Sequence, residues 1–158
     1  MDHAREAQRL FLEGYNCAQA VFCAFIDFTG LDIKTAARFS SSFGAGIGRL
    51  RETCGAVSGA LMALGMVRGY SDPADSKAKV ALYALVQDYV QRFRDKNGTF
   101  ICRELLKDVP VTPGLIPESR TPEFYARRPC LRLIGEAAAL LEKMLSEEQN
   151  TCPKEEQP

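Results

Sequence analysis

The segment from Thr53 to Gly69 reads TCGAVSGALMALGMVRG and predicts a tightly packed helix at the centre of the fold. Small residues recur on neighbouring turns of this helix, at Gly55, Ala56, Gly59, Ala60 and Ala63. Small side chains at helical spacing let a second backbone come close. The helix therefore packs either against another helix of the same domain or across a homodimer, and the sequence leaves both options open.

Before this segment, helices are predicted where a capping residue precedes an apolar stripe. Three stretches qualify: Asp2 to about Gly14, Asn16 to Gly30, and Asp32 to Phe39. The following residues 43–48, FGAGIG, contain too much glycine to hold a helix, so we expect a loop that leads into the central helix.

After the central helix, two helices are predicted from Asp72 to Asn97 and from Thr99 to about Lys107, and a last one from Pro129 to about Ser146. Residues 108–129 hold five of the eight prolines and predict an irregular connection. No alternating strand pattern of useful length is present. The predicted fold class is all-α: a compact bundle of about six to seven helices with a Gly-rich loop and a Pro-rich connection before the last helix. Residues 1–146 form the predicted single domain, and 147–158 form a polar tail.

Composition limits the function classes. The 158 residues carry 20 basic and 20 acidic side chains, and this neutral balance argues against a nucleic-acid partner. No apolar run approaches the ~20 residues that a membrane span needs, so no membrane partner is expected. The first residues carry no apolar signal region, and we therefore expect a cytoplasmic protein.

The six cysteines are the unusual feature, because the chain has only one histidine. In a reducing compartment, cysteines more often bind metal, perform redox chemistry or fill the core than form disulfides. No pair forms CxxC, which argues against a thioredoxin-like dithiol and paired zinc knuckles, and the absence of CxxCH excludes haem of the c type. His3 lies near the terminus, and we expect it to be exposed and without a role.

Four of the cysteines fall in the first turn of a predicted helix, at Cys17, Cys54, Cys102 and Cys130. A helix N-terminus presents unpaired N–H groups and the positive end of the dipole, which lower a cysteine's pKa and favour thiolate. If these helix starts converge, they form a pocket of four stabilised thiolates. We expect Cys23 to lie in the core, and Cys152, in the tail, to be incidental.

The loop Gly44-x-Gly46-x-Gly48 allows two interpretations. It precedes a helix and could cradle a phosphate, with positive charge from Arg49 and Arg51. No strand precedes it and no GK[ST] follows, so a nucleotide is not expected. The simpler interpretation is a turn that lets backbone pass close to a neighbour, either a cofactor beside Cys54 or another helix, with the two arginines solvated at the surface.

The chain resembles the family named for the cysteine pattern C_GCAxxG_C_C over roughly residues 8–145. The matching motifs are GYNCAQA (14–20), FGAGIGR (43–49), ETCGAVSGALM (52–62), CREL (102–105) and CLRL (130–133). The family name places glycine before the second cysteine and alanine after it, whereas here Gly55 and Ala56 both follow Cys54. The resemblance implies a redox-active, cysteine-rich protein and selects the same four cysteines.

We therefore predict a redox-active protein that binds an iron–sulfur cluster or another metal and transfers electrons to or from an unidentified partner. Cys17, Cys54, Cys102 and Cys130 are the predicted ligands, and Gly44, Gly46, Gly48 and Gly55 the predicted cofactor-contacting glycines. Two alternatives remain open from the residues alone. The first is a thiol–disulfide oxidoreductase in which two of the four cysteines cycle, and the second is a helical interaction module with inert, buried cysteines.

Overall fold

The computed structural model of the protein describes residues 1–151, with side chains described as far as Glu147. Nine α-helices form in this part of the chain: α1 (His3–Leu12), α2 (Cys17–Ala24), α3 (Ile26–Thr29), α4 (Ile33–Ser40), α5 (Gly55–Arg68), α6 (Ser76–Asn97), α7 (Cys102–Leu105), α8 (Pro122–Arg127) and α9 (Cys130–Thr151). A short 3-10 turn spans Ser41–Phe43. Over residues 1–151 the sole β contact is an isolated antiparallel bridge between Thr53 and Ile101. The all-α prediction is confirmed.

Helix α2 lies at the centre, where it packs against α1, α4, α5 and α9. It is apolar on almost every side, and six of its eight residues are buried. A helix that is hydrophobic all round belongs in a core, because no face gains from contact with water. Helix α6 instead lies at the edge and buries only Tyr89 and Phe93 fully.

The tight packing predicted for the central helix is present, and its partner is α2 of the same chain. A Cβ atom added at Gly59 would lie 2.5 Å from the carbonyl oxygen of Ala18, a separation that real Cβ atoms do not show. The two backbones touch at this point because neither residue carries more than a methyl group. The small-residue face is therefore used inside the domain, and the homodimer remains an untested prediction.

Three predicted helix caps are confirmed. The side chains of Asp2, Asn16 and Asp32 each accept hydrogen bonds from backbone N–H groups of the first turn that follows. Asn16 forms a capping box, in which the Gln19 side chain accepts a hydrogen bond from the Asn16 backbone N–H. The spare amide nitrogen of Asn16 donates to the Ser41 carbonyl and thereby ties the start of α2 to the end of α4.

Other predicted boundaries were wrong where a competing contact changes the backbone. The predicted helix 16–30 breaks at Phe25, whose backbone leaves the helical region and whose ring is buried against His3. Asp75 rather than Asp72 caps α6, since Asp72 caps a preceding turn by accepting from the Ala74 N–H. Thr99 does not begin a helix, because the residues after it pair with Thr53 in the β bridge.

The Pro-rich segment contains one helix that the sequence analysis missed. Thr121 caps α8, and Pro122 occupies its first position, where a missing N–H costs nothing. At the other end of the chain, α9 continues to Thr151 and so includes residues 147–151, which were predicted to be tail. Cys152 lies outside the described residues.

His3 is not exposed, contrary to prediction. Only 3% of its side chain is accessible, and its ring stacks on Phe25 with the ring centres 4.3 Å apart. Its two ring nitrogens lie 3.1 Å from Asp27 and 3.0 Å from Glu142. The imidazole thus joins the first helix to α3 and α9, and these long-range partners explain its burial.

Candidate functional site: a four-cysteine cavity

The structure brings the four predicted cysteines to one small cavity of about 20 Å³, room for about one water molecule. Cys17 is the first residue of α2, Cys54 precedes α5, Cys102 begins α7 and Cys130 begins α9. The other lining residues share an apolar or small character: Gly55, Ala56, Leu105, Leu106, Leu133 and Ile134. Cys54 and Cys102 are buried, whereas Cys17 and Cys130 are partly exposed. The cavity therefore has an inner pair and an outer pair of thiols.

The β bridge sets the inner pair side by side. The Cys54 N–H donates to the Phe100 carbonyl over 2.8 Å, and the Cys102 N–H donates to the Glu52 carbonyl over 2.6 Å. Arg103 adds a third hydrogen bond to the Arg51 carbonyl. Two segments some fifty residues apart in sequence are thereby aligned, so the positions of both cysteines are determined by backbone rather than by their own side chains.

The expectation of stabilised thiolates was wrong for three of these thiols in their free form. Burial raises the pKa of Cys54, and negative charge on Cys17 raises it further, while the N–H groups of Ala56 and Val57 act in the opposite direction. Helix starts do favour thiolate here, but removal from water has the larger effect.

The same balance holds on the other side of the cavity. Burial raises the pKa of Cys130 to about 12, although the Arg128 guanidinium opposes it. Burial also raises the pKa of Cys102 against the opposing effect of Arg51. The negative charge of a Cys17 thiolate would contribute to the raised pKa of both. Free thiols at Cys54, Cys102 and Cys130 are therefore neutral at pH 7.

Two of the predicted glycines contact the cysteines. A Cβ added at Gly46 would lie 2.7 Å from the Cβ of Cys102, and also 2.7 Å from the backbone of Arg51 and Glu52. A Cβ added at Gly55 would lie 3.2 Å from the Cβ of Cys17. The glycines thus allow backbone to close over the cysteines, as the simpler interpretation of the loop predicts.

The other two predicted glycines differ from these and from each other. A Cβ at Gly44 would lie 2.4 Å from the side chain of Asn16, which the capping box holds in place. A Cβ at Gly48 would meet nothing closer than the Ser42 carbonyl oxygen, at 3.8 Å. Neither contacts a cysteine in this way, so Gly44 positions α2 and Gly48 serves the turn itself.

The loop is a left-handed turn. Five consecutive residues, 45–49, have φ between +53° and +69°, and Arg51 has φ +61°. A left-handed backbone costs a non-glycine residue about 1–2 kcal/mol, and for the β-branched Ile47 it is a genuine outlier. Such strain persists only where the surroundings impose it, and it concentrates at functional sites. Here the turn directs Arg49 and Arg51 towards the cysteines.

The model of the family described as "Putative redox-active protein (C_GCAxxG_C_C)" matches residues 15–144. The match covers most of the chain and includes all four cysteines of the cavity. The chain belongs to this family. No curated protein and no solved structure matches the chain in the corresponding searches.

In this C_GCAxxG_C_C protein, a second cavity of about 180 Å³ adjoins the first and shares Cys17, Cys102, Cys130 and Leu106 with it. Its wall carries five charged side chains: Arg49, Arg51, Glu118, Arg120 and Arg128. The prediction that Arg49 and Arg51 are solvated at the surface was wrong, because only 12% and 14% of their side chains are accessible.

Glu118, Arg120 and Arg128 were missed by the sequence analysis. All three lie in the Pro-rich segment, and this segment folds over the outer pair of cysteines. The available signal was the polar, charged character of residues 118–128 within a connection too long to be a simple turn. No local pattern indicates that these side chains meet a loop some seventy residues away.

The remaining cysteine of the described chain behaves as predicted. Cys23 lies in the core with 1% of its side chain accessible, and burial raises its pKa to about 11. It does not line either cavity.

Over residues 1–151, no helix is long and apolar enough to cross a membrane.

Proposed function

We propose that this family member binds an iron–sulfur cluster through Cys17, Cys54, Cys102 and Cys130 and that it transfers electrons. The observation that carries the proposal is the convergence of four thiols, from four separate segments, on one cavity whose remaining wall is apolar. Four cysteine thiolates are the usual ligand set of such clusters. When bound, the cluster would supply a centre that accepts and returns electrons at a potential that its surroundings set.

The donor set fits a cluster better than a single ion. Among the side chains that the structure describes, no group of three or more His, Cys, Asp or Glu residues is placed to hold one metal ion. A tetrahedral zinc site needs all its sulfurs about 2.3 Å from one point. A cluster spreads its thiolates over several iron atoms. Because the cavity between the four cysteines has room for about one water molecule, the proposed cluster requires these cysteines to move apart or to use space of the adjoining larger cavity.

The chain's own residues would compensate the charge of the bound thiolates. Coordination requires deprotonated sulfur, so binding at the neutral thiols of Cys54, Cys102 and Cys130 releases protons. The guanidinium groups of Arg51 and Arg128 already oppose the raised pKa of Cys102 and Cys130. The N–H groups of Ala56 and Val57 act in the same way at Cys54. These are the interactions that stabilise sulfur-borne negative charge and tune a potential.

The outer pair of cysteines supports electron exchange with a partner. Cys17 and Cys130 are partly exposed, whereas Cys54 and Cys102 are buried behind them. The cluster's edge would thus lie near the surface on one side only. The electron donor or acceptor would approach on that side, where Arg120 and Arg128 also lie.

Anaerobic purification, followed by visible absorption and by iron and sulfide analysis, tests the proposal. We expect a coloured protein in which Cys17→Ala, Cys54→Ala, Cys102→Ala and Cys130→Ala each lower the bound iron and sulfide. Cys23→Ala is the matched control, because it removes a buried thiol that does not line the cavity. It should fold and retain iron and sulfide at the wild-type level.

One result would contradict the proposal, and two further outcomes then distinguish its alternatives. A colourless protein that binds no iron and sulfide even after anaerobic reconstitution would exclude the cluster. If mild oxidation of that protein forms one defined disulfide among the four cysteines, the thiol–disulfide oxidoreductase replaces it. If neither colour nor a defined disulfide forms, and the alanine variants change only stability, the cysteines are inert core residues.

A further inference from the structure

The cavity beside the outer cysteines is lined by an excess of positive charge, and three of its four arginines are largely buried while Arg120 is exposed. Four arginines and one glutamate line it, and of these only Glu118 is negative. The side chains of Arg49, Arg51 and Arg128 are between 8% and 14% accessible. Buried charges are normally paired, because their removal from water is costly. One carboxylate cannot pair closely with three largely buried guanidinium groups.

Arg49 and Arg128 each bind one of the two oxygens of the Glu118 carboxylate. Arg49 donates to Glu118 over 3.0 Å, and its other nitrogens donate to the carbonyls of Gly114 and Thr112. Arg128 lies 2.8 Å from the other Glu118 oxygen, and its guanidinium stacks over the Phe124 ring. The Thr112 N–H also donates to Glu118. Both oxygens of the Glu118 carboxylate therefore already accept hydrogen bonds or pair with an arginine.

Within the described part of the chain, Arg51 makes only a long ion pair with Glu118, and Arg120 makes no ion pair. Arg51 is 3.8 Å from Glu118, and its Nη2 atom is buried and makes no hydrogen bond. Arg120 donates only to the neutral carbonyls of Phe11 and Tyr15, and it stacks over the Phe11 ring. A buried donor without an acceptor is rare in a folded protein, and Arg51 carries this donor into a cavity large enough for a ligand.

We propose that this cavity binds a small molecule with a carboxylate or phosphoryl group. The planar guanidinium of Arg51 suits such oxygens, because its paired N–H groups match their spacing. Leu106, Pro117 and Ala45 supply an apolar wall for the rest of the molecule. The ligand would lie next to Cys17, Cys102 and Cys130, which line the same cavity. The proposal concerns binding only and does not depend on the cluster.

Calorimetric titration at low ionic strength tests it, with inorganic phosphate and succinate as probes and succinamide as the uncharged analogue of succinate. The protein is titrated both as isolated and after cluster reconstitution, with its iron content recorded. We expect saturable binding of phosphate or succinate and none of succinamide. Arg51→Gln should weaken the binding by about tenfold or more, because the buried donor is lost.

Two further variants keep the test decisive. Arg5→Gln removes an arginine that is 87% exposed and lines neither cavity, and it should bind as the wild type does. Arg51→Lys keeps the charge but loses the planar guanidinium, so it should bind the anion more weakly than wild type. This variant takes the place of Arg51→Gln in the test if Arg51→Gln does not fold.

Three outcomes would overturn the proposal. The first is the absence of saturable binding of both anions. The second is binding that folded Arg51→Gln or Arg51→Lys retains in full, or that succinamide shares. The third is binding confined to the cluster-free protein when the reconstituted protein holds a cluster, because the arginines then serve the cluster's charge alone. Failure to form any cluster leaves the result on the isolated protein valid, so the two proposals can fail separately.

Discussion

At single residues, burial and charge oppose each other around the four cysteines. Each thiol that is removed from water has a raised pKa, and each has an arginine or a backbone N–H group that reduces the effect. Such thiols are poor nucleophiles at pH 7, because the thiolate is the reactive form. In the proposed function, a metal would replace this proton. The raised pKa values argue against thiol exchange at pH 7.

Residue identity alone did not reveal which arginines are buried. The sequence predicts Arg49, Arg51 and His3 to lie at the surface, because arginine side chains are mostly exposed and His3 is near the terminus. Their partners are Glu118, Asp27 and Glu142, and they stand between 24 and 139 positions away. Burial of a polar side chain depends on such distant partners, so it cannot be predicted from the neighbouring residues in the sequence.

Gly46 and Gly48 allow a test at the residue scale. Both have positive φ, so alanine strains the backbone similarly at each. At Gly46 the new methyl group also meets Cys102 and two backbone atoms at 2.7 Å, whereas at Gly48 its nearest neighbour is the Ser42 carbonyl oxygen at an ordinary contact distance of 3.8 Å. We expect Gly46→Ala to cost about 1–3 kcal/mol more than Gly48→Ala in urea unfolding. Equal losses would show that the loop does not pack on Cys102 as described.

Among the helices, the contact between α2 and α5 organises the fold and the site together. It brings Cys17 and Gly55 together at one end and Ala18 and Gly59 one turn further along. The helix caps predicted from sequence at Asp2, Asn16 and Asp32 are correct because capping needs only neighbouring residues. The predicted starts at Asp72 and Thr99 are wrong because a turn and the β bridge engage those residues first.

Gly59 and Gly65 test that contact within one helix. A methyl group at Gly59 would lie 2.5 Å from the Ala18 carbonyl oxygen, but at Gly65 it would meet nothing within 4 Å. Gly59→Ala should therefore destabilise the protein by about 1–3 kcal/mol. Gly65→Ala should stabilise it by up to about 1 kcal/mol, because alanine is the better helix former. Thermal and urea unfolding measure both, and a neutral Gly59→Ala would refute the close approach.

In the whole molecule, the Pro-rich segment acts as a cover for the outer cysteines. Glu118 holds it to the left-handed turn through Arg49 and to the start of α9 through Arg128. Arg120 holds it to the end of α1 by donating to the Phe11 and Tyr15 carbonyls. A segment whose five prolines prevent one continuous helix is thus ordered by ion pairs and by the Arg120 hydrogen bonds, and it closes the second cavity.

The Glu118 ion pairs predict a pH dependence of stability. Burial alone would raise the pKa of Glu118, but the hydrogen bonds from Arg49 and from the Thr112 N–H outweigh it and lower the pKa well below the ordinary 4.5. A lowered folded-state pKa stabilises the protein above the unfolded-state pKa, and this contribution disappears as pH falls towards the folded value. The stability difference between wild type and Glu118→Gln should be constant above about pH 5 and shrink below about pH 4.

Urea unfolding between pH 7 and pH 3 measures that difference. Glu52→Gln is the control, because the ion pair between Glu52 and Arg103 is half exposed and should contribute little at any pH. A stability difference for Glu118→Gln that stays unchanged down to pH 3 would show that Glu118 is not held by the arginines.

The sequence by itself determined the all-α class, most helix positions, the tight central packing and the four cysteines that face one cavity. These features follow from helical periodicity, capping and residue size, which act between neighbours in the chain. Only the tertiary structure decided that burial raises the pKa of Cys54, Cys102 and Cys130, that Arg49 and Arg51 are largely buried, and that Glu118, Arg120 and Arg128 join them. Burial and unpaired charge arise between residues far apart in sequence, and folding alone brings those residues together.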